Sequence, residues 1–125
     1  KKKIIDTQIN KTGKLFAFCC ESIGIIKGLN YKKRNMLKKI GLEIGLLFQI
    51  TDDLIDYKGE TKIAGKPTRR DKNKGKQTLI NFMGYNKTLI FVNNLKKKIN
   101  KNIKKYGIKS EDLLQSVEFI LNRRF

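Results

Sequence analysis

Two lines of side chains run along residues 32–57 at helical spacing. Leu37, Ile40, Ile44, Leu47, Leu54 and Ile55 form an apolar stripe. Gly41, Gly45, Gln49, Asp52 and Asp56 follow a second line at steps of four, four, three and four. Steps of three and four place residues on one face of an α-helix, so the middle of the chain is committed to a helix with two distinct faces. The second face carries little side-chain volume at one end and three carboxylates at the other, because Asp53 lies just beside Asp52 and Asp56.

The flanking segments carry the same period. Residues 4–27 read as a helix interrupted near Gly13, with Leu15, Phe16, Cys19, Ile23 and Ile26 as its apolar face. Gly28 to Tyr31 reads as a turn. Residues 58–77 read as a loop punctuated by Gly59, Gly65, Pro67 and Gly75 and loaded with lysine and arginine. Helical spacing returns after Thr78, with a break around Gly84 to Asn86. Leu89, Val92, Leu95, Ile99 and Ile103 then mark an amphipathic helix closed by Gly107. Ser110, with Glu111 and Asp112 after it, reads as the start of a last helix carrying Leu113, Leu114, Val117, Ile120 and Leu121. No strand pattern and no repeat interrupts this series, so the expected fold class is all-α. The 125 residues suit one domain or part of one.

The net charge of +18 admits three kinds of partner: nucleic acid, an anionic membrane surface, or a phosphorylated small molecule. Lysine, asparagine and isoleucine are all abundant, which AT-rich coding would also produce, so the bulk charge selects none of them. No uncharged apolar run approaches membrane-spanning length. The adjacent Cys19 and Cys20 point about 100° apart on a helix, poorly placed to bond to each other. Their plain reading is two small buried apolar residues in a reducing, cytoplasmic setting.

Asp52, Asp53 and Asp56 are the sharpest chemical signal. Three of only 11 acidic residues fall within five positions of a lysine-dominated chain. Asp52 and Asp56 sit one turn apart on the same side of the helix, where like charges repel unless a cation lies between them. Magnesium suits such a pair, since it takes hard oxygen ligands from one or two carboxylates, phosphate and water. The plain alternative is a solvated acidic helix end. The basic segment just downstream, with Lys66 and Lys76 beside glycines, favours the metal, because a carboxylate–magnesium site next to ammonium groups is a place for a diphosphate. Lys11 and Thr12 offer a further ammonium and a hydroxyl.

The run Gly45-Leu-Leu-Phe48-Gln49-Ile-Thr-Asp52-Asp53-Leu-Ile-Asp56 resembles the second aspartate-rich region of the trans-polyprenyl diphosphate synthases, the family of the farnesyl and geranylgeranyl diphosphate synthases. Gly65-Lys66 matches a Gly-Lys pair that follows in the family. Asp71 and Gly75-Lys76-Gln77-Thr78 match its next element, and Lys11-Thr12-Gly13 matches a Lys-Thr-Gly element in a kinked helix upstream. The segment from Leu113 to Arg123 is similar to the family's last helix. The resemblance implies the C-terminal helices of the isoprenoid synthase bundle. It implies Asp52 as a direct magnesium ligand, with Asp53 and Asp56 supporting it. Lys11 and Lys66, assisted by Lys76, would hold the diphosphate of an allylic substrate, and Thr12 and Gln49 would present dipoles to the developing allylic cation. Isopentenyl diphosphate would be the second substrate, and a homodimer the state of the whole enzyme.

The resemblance covers only the C-terminal half of that family. The first aspartate-rich motif, the arginine pair after it and the basic site for isopentenyl diphosphate are expected outside residues 1–125, so the segment alone is expected to be incomplete and inactive. Two other readings stay open from the residues alone. One is a non-catalytic homologous subunit; the other is a basic helical protein that binds nucleic acid, against which stands the acid cluster where phosphate would approach.

Overall fold

The computed structural model describes residues 1–64, 78–107 and 110–122, with the backbone alone for 60–64. The described residues are all-α, with no strand among them. Helix α1 spans Lys2–Gln8 and passes through a π-helical turn, Ile9–Gly13, directly into α2, Lys14–Ile26. Helix α3 spans Tyr31–Ala64. Helices α4, Leu79–Met83, and α5, Tyr85–Ile103, are separated by one residue, and α6 spans Glu111–Asn122. No helix among the described residues is long and apolar enough to cross a membrane.

Local chemistry sets the boundaries. Gly28 ends α2 at φ +63°, where its N–H reaches Ile25 O and that of Leu29 reaches Gly24 O, a Schellman closure that favours glycine. Asn30 caps α3, its side-chain oxygen accepting the Lys33 N–H at 3.0 Å. Thr78 does the same for α4 by accepting the Asn81 N–H. Gly84, at φ +84°, makes the break between α4 and α5 that the sequence placed there.

Helix α3 is the axis of the molecule, 34 residues and so about 51 Å long. Its apolar stripe behaves as expected: Ile40, Ile44, Leu47 and Leu54 are buried, with Val92, Leu95, Ile99 and Ile103 of α5 and Val117 and Ile120 of α6 in the same core. Ion pairs tie the same helices together: Lys98 of α5 with the buried Glu43 of α3 at 2.7 Å, Lys96 of α5 with Glu118 of α6, and Lys38 of α3 with Glu21 of α2.

Helix α2 packs differently from its expected apolar face. Leu15 is 67% exposed and Ile26 80% exposed, and Ile23 and Cys19 also lie on the surface. Cys20 is half-buried, and of the five expected residues only Phe16 packs partly against the core. The buried residues of α2 and the turn before it are small: Gly13, Ala17 and Gly24. The reason lies in α3. A Cβ built on Gly45 would lie 2.6 Å from Gly13 Cα. One on Gly41 would lie 2.7 Å from Ala17 Cα and run into the Phe16 carbonyl oxygen. The backbones approach so closely that only small residues fit between them, and the larger side chains of α2 are turned outward.

The expected loop over 58–77 begins later than the glycine at 59 suggested, because α3 continues to Ala64. A glycine in an exposed helix costs about 1 kcal/mol relative to alanine, which a helix already anchored over many turns absorbs. Residues 65–77 lie outside the described residues.

These two glycine environments give opposite expectations for one substitution. Gly59 has nothing within 4 Å of a built Cβ, so Gly59→Ala should stabilise by about 0.5–1 kcal/mol through helix propensity. Gly41→Ala meets backbone that cannot move aside, and should destabilise by roughly 2 kcal/mol or more despite the same propensity gain. Guanidinium unfolding of the two variants reads the signs directly; equal effects would show that the helices are not in backbone contact.

Candidate active site

Helices α1 and α2, with the π turn between them, run antiparallel to α3, and the close contact at Gly13–Gly45 sets their register. Two hydrogen bonds follow along that seam. Thr12 Oγ1 donates to Gln49 Oε1 at 2.9 Å, and one turn further along, Gln8 Nε2 donates to Asp53 Oδ2 at 2.9 Å. The pairs 12–49 and 8–53 keep a constant sum, as antiparallel helices in register require. Thr12, Gln49 and Asp53, all expected in the site, are therefore brought together by one interface. Lys11 lies in the same π turn as Thr12 and is exposed.

The aspartates separate by direction. Successive residues of a helix point about 100° apart, so Asp52 and Asp53 cannot share a face. Asp53 is only 5% exposed and faces α1. Asp52 is half-buried and Asp56 exposed, one turn apart on the helix face that also carries Gly45 and Gln49. Just before them Thr51 returns its hydroxyl to Leu47 O at 2.8 Å, which satisfies a buried polar group without engaging the carboxylates. Among the described residues no three acidic, cysteine or histidine side chains converge on one point. What the helix offers a cation is the Asp52–Asp56 pair. Two hard oxygen donors one turn apart fit magnesium, which fills its remaining positions from phosphate and water. Lys66 and Lys76, expected to hold the diphosphate, lie outside the described residues.

A family described as Polyprenyl synthetase matches residues 2–119. The chain belongs to the polyprenyl synthetase family. Among curated relatives, a farnesyl diphosphate synthase of Micrococcus luteus is 38% identical over 76 residues, covering 61% of this chain and 26% of the relative. A short chain isoprenyl diphosphate synthase of Methanocaldococcus jannaschii is 30% identical over 119 residues, covering 95% of this chain and 36% of the relative. A prenyl transferase of Porphyra purpurea is 38% identical over 74 residues. The chain thus spans roughly a quarter to a third of the length of these relatives. No solved structure matches it significantly.

Beside the family site, Phe16 and Phe48 pair with ring centroids 5.8 Å apart and border an open apolar cleft of about 450 Å³ shared with Phe119 and Ile120 of α6. The adjacent cysteines are free thiols, Cys19 exposed and Cys20 half-buried. Burial pushes the Cys20 thiol up, and the neighbouring Cys19 adds to the shift, so Cys20 is held in its unreactive protonated form. Sequence reasoning missed Gln8. It lies one helical turn before Thr12, on the line that meets α3, but a single glutamine in a polar stretch carries no signal until its partner is known.

The Thr12–Gln49 bond is measurable as a coupling. Thr12→Val leaves the Gln49 carbonyl without this donor in a buried setting and should cost about 1–2 kcal/mol. Gln49→Leu should cost a similar amount, while the double variant should fall short of the sum by about 1 kcal/mol. Denaturant unfolding of the three variants gives the coupling, and strict additivity would mean that the bond contributes nothing.

Proposed function

We propose that this segment forms one wall of a prenyl-transferring active site, in which an allylic diphosphate is ionised and condensed with isopentenyl diphosphate. The observation that carries the reading is the Thr12–Gln49 hydrogen bond. It fixes the Lys11 turn against the helix that carries Asp52 and Asp56, so an ammonium, two oxygen dipoles and a carboxylate pair belong to one surface. The relatives named as farnesyl and short chain isoprenyl diphosphate synthases support the same substrate class.

Each group then has a task that follows from its chemistry. Asp52 and Asp56 would hold magnesium between them. Magnesium, when bound, supplies the positive charge that a departing diphosphate requires. Lys11 places its ammonium against the remaining diphosphate oxygens, with Lys66 and Lys76 in the same role. Thr12 gives its proton to Gln49 and keeps its oxygen lone pairs, and the Gln49 carbonyl keeps its second lone pair. Both therefore present the negative ends of their dipoles, the orientation that stabilises an allylic cation. The double bond of isopentenyl diphosphate attacks that cation, and a proton is lost.

The segment is the C-terminal part of one larger helical domain in this reading. The exposed stripe of Leu15, Phe18, Ile25 and Ile26 on α2 supports it, since a contiguous apolar face of that kind calls for further helices. So does the length of the relatives, of which this chain spans about a third or less. The first aspartate-rich motif would come from those further helices, and without them the segment is inactive. A homodimer and a cytoplasmic location complete the proposal, the latter supported by two free thiols.

Replacing Asp52 tests the assignment. In the full-length enzyme Asp52→Ala should lower turnover on the order of 10²- to 10³-fold, the loss typical of one electrostatic contact to developing charge. Asp56→Ala should cost less and Gln49→Leu less again, because a dipole is weaker than a charge. Steady-state kinetics with both diphosphates at saturating magnesium decides it. Should Asp52→Ala keep more than about a third of wild-type turnover, under 1 kcal/mol of barrier is involved and the carboxylates are a solvated helix end.

A further inference from the structure

Gln8 and Asp53 are 45 positions apart in the chain, yet their side chains meet at 2.9 Å inside the α1–α3 interface. Gln8 is 6% exposed and Asp53 5%. A carboxylate taken out of water needs compensating donors, and a glutamine amide is one that carries no charge. That distinction matters here. A lysine or arginine at position 8 would neutralise Asp53 and compete for the negative field beside it. The amide orients the carboxylate without itself bringing a positive charge beside Asp52 and Asp56.

We propose that Gln8 is a positioning residue for the aspartate cluster: its amide pins Asp53 inward, and this fixes the rotation of α3 that presents Asp52 and Asp56 together to a magnesium diphosphate. The inference rests on the site reading given above. Asp53 is the anchor, Asp52 and Asp56 are the donors, and Gln8 acts on the cation only through them. The bond stands one turn beyond Thr12–Gln49, past the glycine contacts at Gly41 and Gly45.

The test measures metal rather than turnover. Binding of Mn²⁺ in the presence of inorganic pyrophosphate is followed by electron paramagnetic resonance of the free ion, using the full-length protein. Gln8→Met keeps the length of the side chain and removes the donor; its Mn²⁺ dissociation constant should rise about tenfold, the scale seen when a ligand's supporting partner is lost. Gln8→Asn, one methylene too short to reach Asp53, should behave alike and keeps the site polar should Gln8→Met fail to fold. In an Asp53→Asn background the Gln8 substitution should add less than about twofold, because its partner is already altered. Gln8 variants that bind Mn²⁺ as wild type does, or whose effects multiply with Asp53→Asn independently, overturn the positioning role. Asp52→Ala is the control on the site itself. If it leaves Mn²⁺ binding unchanged, the reading of the site falls with everything built on it; if it weakens binding and the Gln8 variants do not, only the role of Gln8 falls.

Discussion

Backbone contact between α3 and the α1–α2 arm governs the rest of the structure. At Gly41 and Gly45 the two backbone segments approach within a distance that excludes even a methyl group. A contact of that kind has almost no freedom to slide, because moving one residue in either direction would bring a Cβ against backbone. It therefore acts as a register pin. Everything on the seam beyond it follows: Gly13 faces Gly45, Thr12 meets Gln49, and Gln8 meets Asp53. The register in which α1 meets the aspartate end is thus set by glycines two to three turns away.

The same constraint explains which parts of the molecule were legible in the sequence. The apolar stripe of α3 and most of those of α5 and α6 match the structure, because periodic leucine, isoleucine and valine residues face a core whatever their partner is; Leu89 and Leu113, near the starts of α5 and α6, are the exceptions and lie exposed. The glycine–aspartate line was visible too, and with it Gln49, Asp52 and Asp56. For α2 the same rule fails. Its large residues were taken as the packed face, whereas the space against α3 admits only Gly13, Ala17 and Gly24. Hydrophobicity indicates that a side chain will leave water somewhere; it does not say which of two neighbouring surfaces will cover it. Gln8 was illegible for another reason. Its role is a relation between two residues 45 positions apart, and no local pattern encodes it.

Charge is divided along similar lines. In a chain of +18 the acids are scarce, and the structure uses them in two ways. Glu21, Glu43 and Glu118 each take a lysine of a neighbouring helix and hold the bundle together. A pair such as Lys98–Glu43, where the carboxylate is buried, matters mainly because breaking it would strand a charge. The aspartates at positions 52, 53 and 56 are gathered on one turn of one helix, where mutual repulsion opposes folding unless a donor or cation offsets it. The lysine excess spread over the surface raises the local concentration of any anionic ligand without identifying it.

The π turn is what lets one arm serve both ends of this arrangement. In an unbroken α-helix Gln8 and Ala17 are nine positions apart, about 900° of rotation, which puts them on opposite sides. Yet both face α3, one through Asp53 and the other through Gly41. A π turn inserts one residue beyond the α-helical count and so takes back about 100°, enough to bring the two onto neighbouring faces. The turn spans Ile9–Gly13 and contains Lys11 and Thr12. The residues proposed to face the diphosphate and the cation therefore lie in the one stretch whose backbone must be irregular for the glycine contact and the Gln8–Asp53 bond to coexist. An uninterrupted helix could satisfy either end of the seam. Only the wider turn satisfies both, and it widens where the ammonium and the hydroxyl emerge.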